Sequence, residues 1–340
     1  MIGDNLKFYR LLAGLTQEEL AVKVNITKMA ISNYENGKRE ADSSIIRKIA
    51  KALNVKSYKL VLDQNPSIMI VHGAFRKKNS MKQSDIELLY GKLDRYLDKF
   101  NNIVNILGDK VLQDFNYPKK RKYSNSEDCA KYVRNFLHLP ENGFIGNLVD
   151  ILEQKGIIIC QLENVDSKFS GMNGTLNNRP YIAVNFNLSP ERQRFTLIHE
   201  LIHIIFDFPN REDEEKLIDQ ITGKFFFTNN DIIRELGIHR TNILADLRTI
   251  QYKYGVSVQC ILFRAKEVGI IANSVYLKHL KKVKEKSFKE NFNNEILSER
   301  SNLFKQLVIR ALSEHLINES KAYELLDYSL SSINNLYLEL

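Results

Sequence analysis

Apolar positions in residues 1–62 recur at the 3.6-residue spacing of short amphipathic helices, not at the two-residue spacing of strands. Thr16 to Glu19, "TQEE", forms a capping box, and Asn36-Gly37 breaks the pattern. Residues 63–84, "DQNPSIMIVHGAFRKKNSMKQS", mix turn formers with a basic run and predict an irregular connector. Helical spacing with alternating charge returns over 85–113, as one solvent-facing helix or a pair, and "NYPKKRKYSNSED" marks a second boundary. Two helices are predicted in 127–155, "EDCAKYVRNFLHL" and "IGNLVDILEQK", the second ended by Gly156. The short runs "GIIICQLE", "SGMNGTL" and "YIAVNFN" then read as strands of a small antiparallel or mixed sheet. Ser189-Pro190 starts a helix and Asp207 to Pro209 ends it, so "RFTLIHELIHIIFDF", residues 194–208, lies on a helix of about four to five turns. Acidic "NREDEEKLIDQITGKFF" opens another helix, and further helices follow across 241–267. Beyond 275, "LKHLKKVKEK" predicts a basic, solvated helix, and the chain ends in a leucine-rich helical pair.

This pattern predicts a mainly α protein with a small β-sheet, an α+β class. The expected domains are an all-α helix-turn-helix domain at 1–65, a linker and helical connector at 66–125, a mixed domain at 126–275 and a helical C-terminal region at 276–340. A chain of 340 residues, 44% hydrophobic and 26% charged, has the composition of folded and not of disordered protein. The N-terminus lacks the basic-then-apolar order of a signal peptide, and no window approaches the roughly 18 apolar residues of a membrane span. A cytoplasmic protein without membrane contact is expected. Cys129, Cys160 and Cys260 are far apart and without CxxC spacing, which argues against a disulfide framework and against cysteine-held zinc.

The helix at 194–208 carries the sharpest chemistry. His199 and His203, four residues apart, stack on one face, where two imidazole nitrogens can reach one ion. Glu200 sits about 100° around the helix, placed to reach water at that ion without binding it. Apart from Thr196, the other residues of 195–206 are Leu, Ile and Phe, so the helix is expected to be buried all round. A buried carboxylate beside two imidazoles costs several kcal/mol unless a cation compensates, which points to Zn2+. The third ligand is expected from the acidic run 212–215, with Glu215 the choice and Glu214 or Glu212 the alternatives. Asp219, one turn beyond Glu215, is expected to accept a hydrogen bond from a ligating imidazole. The expected reaction is peptide hydrolysis: zinc acidifies water, Glu200 takes the proton, and Glu200 passes it to the leaving amine. The strand "YIAVNFN" is the expected edge for an extended peptide. Tyr252, Tyr254 and His239 are candidates for the oxyanion.

In residues 16–55, Leu20, Ala21, Val24, Ile26, Ile31 and Tyr34 supply the packing of a helix-turn-helix, with "NIT" at the turn. The second helix, about Lys28–Glu35, presents Lys28, Met29, Ser32 and Asn33 to base edges of double-stranded DNA, and Thr27 just before it is a further DNA-binding candidate. Gln17, Lys38 and Arg39 are placed for phosphates. The alternative is a protein-binding module of the same shape. The chain carries a net charge of +8, and through Asp63 it has eleven basic and seven acidic side chains, an excess adequate for a polyanion. Basic runs at 76–78, 119–122 and 281–286 are expected to be solvated surface.

Residues 5–60 resemble the Cro/repressor-type (Xre) helix-turn-helix family through "LTQEELA", "ISNYENGKR" and "IAKALNV", with Asn25 where members commonly have glycine. Residues 127–273 resemble the ImmA/IrrE metallopeptidases through "LVDILEQKGI", "IAVNFNLSPERQRFTLIHELIHIIF" and the acidic stretch before "ITGKFFFTNNDI". The resemblance implies a zincin-like endopeptidase whose protein substrates are often DNA-binding repressors of mobile elements or stress responses. Such a chain would bind a DNA operator, with a homodimer as a candidate assembly. Two departures stand out: Ile202 replaces a common glycine and is expected to crowd the site, and "LID" blurs the third ligand, with Asp219 where the family has asparagine. These departures motivate a second reading, a noncatalytic DNA-binding regulator or antitoxin whose peptidase-like domain senses a toxin or other partner.

Overall fold

The computed structural model describes residues 2–61, 68–73, 81–115, 120–208, 213–285 and 296–327. The basic run at 76–78, Lys119, Glu212, Lys286 and the tail from 328 lie outside the described residues. The architecture is mainly α with a small mixed sheet. The chain divides into two compact units, Met1–Ile70 with Arg76–Asn102, and Val71–Phe75 with Ile103–Leu340.

The first unit opens with helices α1 (Ile2–Leu12), α2 (Gln17–Val24), α3 (Lys28–Glu35), α4 (Ser43–Ala52) and α5 (Tyr58–Val61). Local chemistry sets each boundary. Thr16 and Glu19 form the reciprocal capping box of α2, Thr27 caps α3 through the Ala30 amide, and Asp42 caps α4. Asn25 ends α2 in the left-handed region at φ 56°, a conformation asparagine tolerates better than most residues. Leu6, Leu20, Ala21, Val24, Ile31, Tyr34 and Ile49 form one core, with Ile26 packed against it. An ion pair is buried in this unit: Arg10 Nε and Nη2 donate to Glu35 at 2.5 and 3.0 Å, and Gln17 Nε2 donates to Glu35 Oε2 at 2.7 Å. It joins α1, α2 and the end of α3.

The expected helix at 85–113 is one continuous α6 (Gln83–Leu107), not a pair. Its buried stripe of Ile86, Leu89, Leu93, Leu97 and Phe100 runs at helical spacing. Arg95 of α6 donates to Asn5 and lies 4.0 Å from the Phe8 ring centroid.

The second unit is built on a four-stranded sheet with order β1-β4-β5-β3. Its strands are β1 (Ile70–His72), β3 (Ile158–Leu162), β4 (Gly171–Leu176) and β5 (Arg179–Asn185); a separate parallel pair joins β2 (Arg121–Lys122) to β6 (Phe206–Asp207). Asn177 and Asn178, both at positive φ, close the tight β4–β5 hairpin. β5 runs parallel to β3 on its other side and is buried almost throughout, so "YIAVNFN" is a central strand and not an edge. Helices α7 (Ser126–Phe136) and α8 (Leu148–Gln154) lie between β1 and β3 in the chain, and α9 (Pro190–Ile205) follows β5. Pro190 occupies the first turn of α9, although the Ser189 side chain makes no capping hydrogen bond. The helix ends at Ile205, where the chain turns into β6.

Helices α10 (Glu214–Phe226), α11 (Asn229–Leu236), α12 (Leu247–Tyr254), α13 (Val258–Glu267) and α14 (Asn273–Lys284) complete a core that includes Leu197, Ile198, Leu201, Ile202, Ile205, Ile218, Ile221 and Phe225. The basic helix α14 is not wholly solvated, because His279 and Val283 are buried on one face. Two further helices, Leu303–Ser313 and Glu319–Leu326, form the tail. Before them, the segment around Glu299 is tied back onto the unit. Glu299 accepts from the Leu148 and Val149 amides and from Arg194, while its carbonyl accepts from Gln161. Ser301 donates to Glu153, whose carboxyl burial pushes up to about 7 against the opposing effect of that hydrogen bond.

Because the folded value lies above the ordinary carboxylate value, Glu153 favours the fold fully only below about pH 4.5, and that contribution is lost as pH rises through about 7. Glu153→Gln should therefore gain stability relative to the parent over this window, by roughly 1–3 kcal/mol at pH 8. Urea denaturation of both proteins from about pH 5 to pH 8 reads this directly, and a difference that does not vary with pH contradicts it.

Candidate functional site

Almost all of α9 from Phe195 onward is buried, except for one stripe. Phe195, His199 and His203, at successive i, i+4 positions, are half-buried, while Glu200 on the adjoining face is 9% exposed. The sheet covers one side of the helix, and the first turns of α10 approach the histidine stripe.

Four carboxylates converge there. Glu215 faces both rings, its Oε2 3.3 Å from His199 Nε2 and its Oε1 3.4 Å from His203 Nε2. The remaining ring nitrogens are partnered too: His199 Nδ1 lies 3.1 Å from Asp219 Oδ1, and His203 Nδ1 lies 3.2 Å from Glu214 Oε1. Glu200, the fourth, accepts from Asn173 Nδ2 at 2.7 Å through its Oε2. Burial works against a charged His199, but hydrogen bonds to Asp219 and Glu215 and the charge of Glu200 outweigh it and raise the imidazole to about 9. The hydrogen bonds from His199 and His203 hold the Glu215 carboxylate well below its usual range.

The donor set fits a divalent cation. One ligand atom each from His199, His203 and Glu215 can be chosen within 4.8 Å of one another. Bonds of about 2.0–2.1 Å in tetrahedral geometry set ligand atoms roughly 3.3–3.4 Å apart, and each Glu215 oxygen lies at about that distance from one Nε2. Protons bridge these groups when no cation does, and a cation binds by displacing them. With Asp219 and Glu214 on the Nδ1 atoms, both Nε2 atoms are left facing Glu215.

The structure thus brings His199, His203, Glu215, Asp219 and Glu200 together. Glu214, expected as an alternative ligand, instead addresses the far nitrogen of His203. Asn173 went unnoticed in the sequence, yet the two-residue alternation of β4 carries a signal, since Gly171 and Asn173 share a face. A Cβ at Gly171 would lie 2.4 Å from Thr196 Cγ2 and 2.8 Å from the Ala183 carbonyl, so only glycine lets β4 approach α9 this closely. Ile202 is fully buried in the hydrophobic core and not in the ligand cluster, which corrects the expectation of crowding. Of the oxyanion candidates, Tyr254 is committed elsewhere: its hydroxyl bonds Arg234 and Glu235 at 2.8 Å, and burial raises it far above its usual value. Tyr252 and His239 are exposed.

In the helix-turn-helix, Thr27, Lys28 and Met29 are exposed at the start of α3, Met29 at 73%. Ser32 and Asn33 follow half-buried, with the Ser32 hydroxyl accepting from Asn36 Nδ2. Lys38 and Arg39 are exposed beyond the helix, their amides bonded to the Asn33 carbonyl. Gln17, at the first position of α2, is held by Glu35.

Residues 6–60 match the helix-turn-helix family, and residues 152–266 match the IrrE N-terminal-like domain, a peptidase family. Over 53 residues the chain is 42% identical to an uncharacterized HTH-type transcriptional regulator of Methanocaldococcus jannaschii, which covers 16% of this chain and 80% of that one. It is 39% identical over 56 residues to the HTH-type transcriptional regulator ImmR of Bacillus subtilis, across 16% of this chain and less than half, 44%, of that protein. No solved structure matches the chain. Among the described residues, no helix is long and apolar enough to cross a membrane.

Zinc titration of chelator-treated protein against a chromophoric competitor should saturate at about one ion per chain. His199→Ala, His203→Ala and Glu215→Ala should each abolish that binding, and Asp219→Ala or Glu214→Ala should weaken it about 10–100-fold. Undiminished binding by Glu215→Ala would move the third ligand elsewhere.

Proposed function

The chain belongs to the Xre-type helix-turn-helix transcriptional regulators and carries an IrrE-like domain, and from this premise we propose that it is a DNA-binding regulator whose second unit is a zinc-dependent endopeptidase. The observation that carries the reading is that ligand atoms of His199, His203 and Glu215 lie within 4.8 Å of one another, with Glu200 on the adjoining helix face. His199, His203 and Glu215 would hold a divalent cation there, which would supply the Lewis acidity to acidify water and polarise a carbonyl. The protein's own groups do the rest. Asp219 and Glu214 fix both ring orientations and keep Nδ1 protonated. Asn173 fixes one oxygen of Glu200 and leaves the other to take a proton from water. In the hydrolysis, hydroxide adds to the amide carbonyl, Glu200 returns the proton to the amine nitrogen, and the C–N bond breaks. The low-exposure surroundings of Glu200 strengthen these interactions by limiting competing water.

The proposed protein substrate is a DNA-binding repressor, in control of a mobile element or stress response, and the proposed compartment is the cytoplasm. The first unit supplies operator recognition: Lys28, Met29, Ser32 and Asn33 at base edges, with Thr27, Gln17, Lys38 and Arg39 on or near phosphates. A noncatalytic regulator or antitoxin with a toxin partner uses the same first unit and differs only in leaving Glu200 idle.

Glu200→Gln should reduce hydrolysis of a repressor substrate by at least about a hundredfold while zinc content and DNA affinity stay at parental levels. Ser32→Ala or Asn33→Ala should relax sequence preference by about 1–3 kcal/mol. Lys38→Ala should weaken all duplexes alike and lower the salt dependence. Repressor stability assays and salt-resolved binding curves check both halves. Cleavage unchanged in Glu200→Gln removes the peptidase reading.

A further inference from the structure

Residues 71–73 lie alongside β4 at the point nearest Glu200. The Gly73 amide donates to the Asn173 carbonyl at 2.8 Å. His72 Nδ1 lies 2.6 Å from the Tyr181 hydroxyl, and the two rings meet edge to face. Asn173 is also the residue whose side chain holds the Glu200 carboxylate. The backbone edge beside Glu200 is therefore already paired, and its partner is this chain's own β1.

A strand edge offers N–H and C=O groups to any extended segment of suitable shape. The other strands do not offer one here. β5 is paired on both sides, and β3 is separated from Asn173 by β5. Side-chain shape narrows what fits β4. A Cβ at position 73 would lie 2.6 Å from the Asn173 carbonyl oxygen and 2.9 Å from its Oδ1. The amide of Asn173 is not free to turn away, because its Nδ2 is engaged by Glu200. Any residue larger than glycine at that point pushes the strand off the edge or pulls Asn173 off Glu200.

Resting on the peptidase reading above, we propose that the β4 edge at Asn173 is the surface where extended substrate pairs, that it takes segments with glycine opposite Asn173, and that residues 71–73 occupy it as an intramolecular competitor. The chain thereby restrains its own site: a substrate segment gains the edge only in the fraction of molecules whose β1 has left it, and its apparent affinity falls by that fraction.

The test uses the full, zinc-loaded chain and a fluorescein-labelled peptide of residues 67–78, SIMIVHGAFRKK. Fluorescence anisotropy is read with Glu200→Gln present, so that the probe stays intact, in the parent and in Gly73→Val and His72→Ala. Gly73→Val evicts β1 by its bulk, and His72→Ala removes the bond to Tyr181 without adding any. Both variants should bind the peptide about tenfold more tightly than the parent, and a peptide with valine in place of its glycine should lose that gain. Equal binding by the parent and both variants overturns the proposal. Hydrolysis of the same fluorescein-labelled peptide by these proteins with Glu200 intact separates the two readings. A binding gain without hydrolysis keeps the pairing surface and removes the peptidase assignment. Hydrolysis without a binding gain keeps the peptidase assignment and overturns the pairing surface.

Discussion

Two imidazoles one helical turn apart can be buried only if their ring nitrogens all find partners, and the second unit is arranged around that requirement. Half-burial of His199 and His203 strips away much of the water that would otherwise serve them. Helix α10 answers with three carboxylates from its first two turns. Glu215 lies between the two Nε2 atoms, while Asp219 and Glu214 take one Nδ1 each. The acids gain from their position as well, since Glu214 and Glu215 sit at the positive end of the α10 dipole. Placing this much negative charge beside the rings raises His199 although burial alone would lower it.

Much of this was legible in the chain because helical periodicity is local. The spacing of His199 and His203, the four-residue step from Glu215 to Asp219, and the capping box at Thr16 all follow from neighbours within one turn. Long-range register was not legible. "SGMNGTL" reads as a strand, but nothing local says that β4 and not β5 lies beside Glu200, because that depends on which strand the hairpin leaves outermost before β1 joins. For the same reason the connector around residue 70 reads as irregular: a three-residue strand between turn formers has too few positions for alternation to register. Glu214 and Glu215 were hard to tell apart as ligands, since adjacent residues differ by about 100° and only the packing of α10 decides which faces Nε2.

Helix α3 shows the opposite economy. Its exposed residues are set by sequence alone, but its tilt is fixed from behind by Arg10, Glu35 and Gln17, three side chains from three helices. A buried ion pair of this kind is a weak source of net stability, because desolvation offsets much of its attraction. Its geometry is what matters here. Two guanidinium bonds and one amide bond on a single carboxylate leave Glu35 one orientation, and with it the C-terminal end of α3.

Position 202 shows how helix geometry separates what packs from what reacts. At about 100° per residue, Ile202 lies about 160° around α9 from Glu200, so the two point to nearly opposite sides. Its methyl groups enter the core with Ile198 and Ile205, where a larger side chain adds buried apolar surface at roughly 25 cal/mol per Å2. Asn173 and β4 approach from the Glu200 side. Crowding from an isoleucine in place of glycine is therefore borne by the interior, and the face that would meet a peptide is shaped by Gly171 and Asn173 instead.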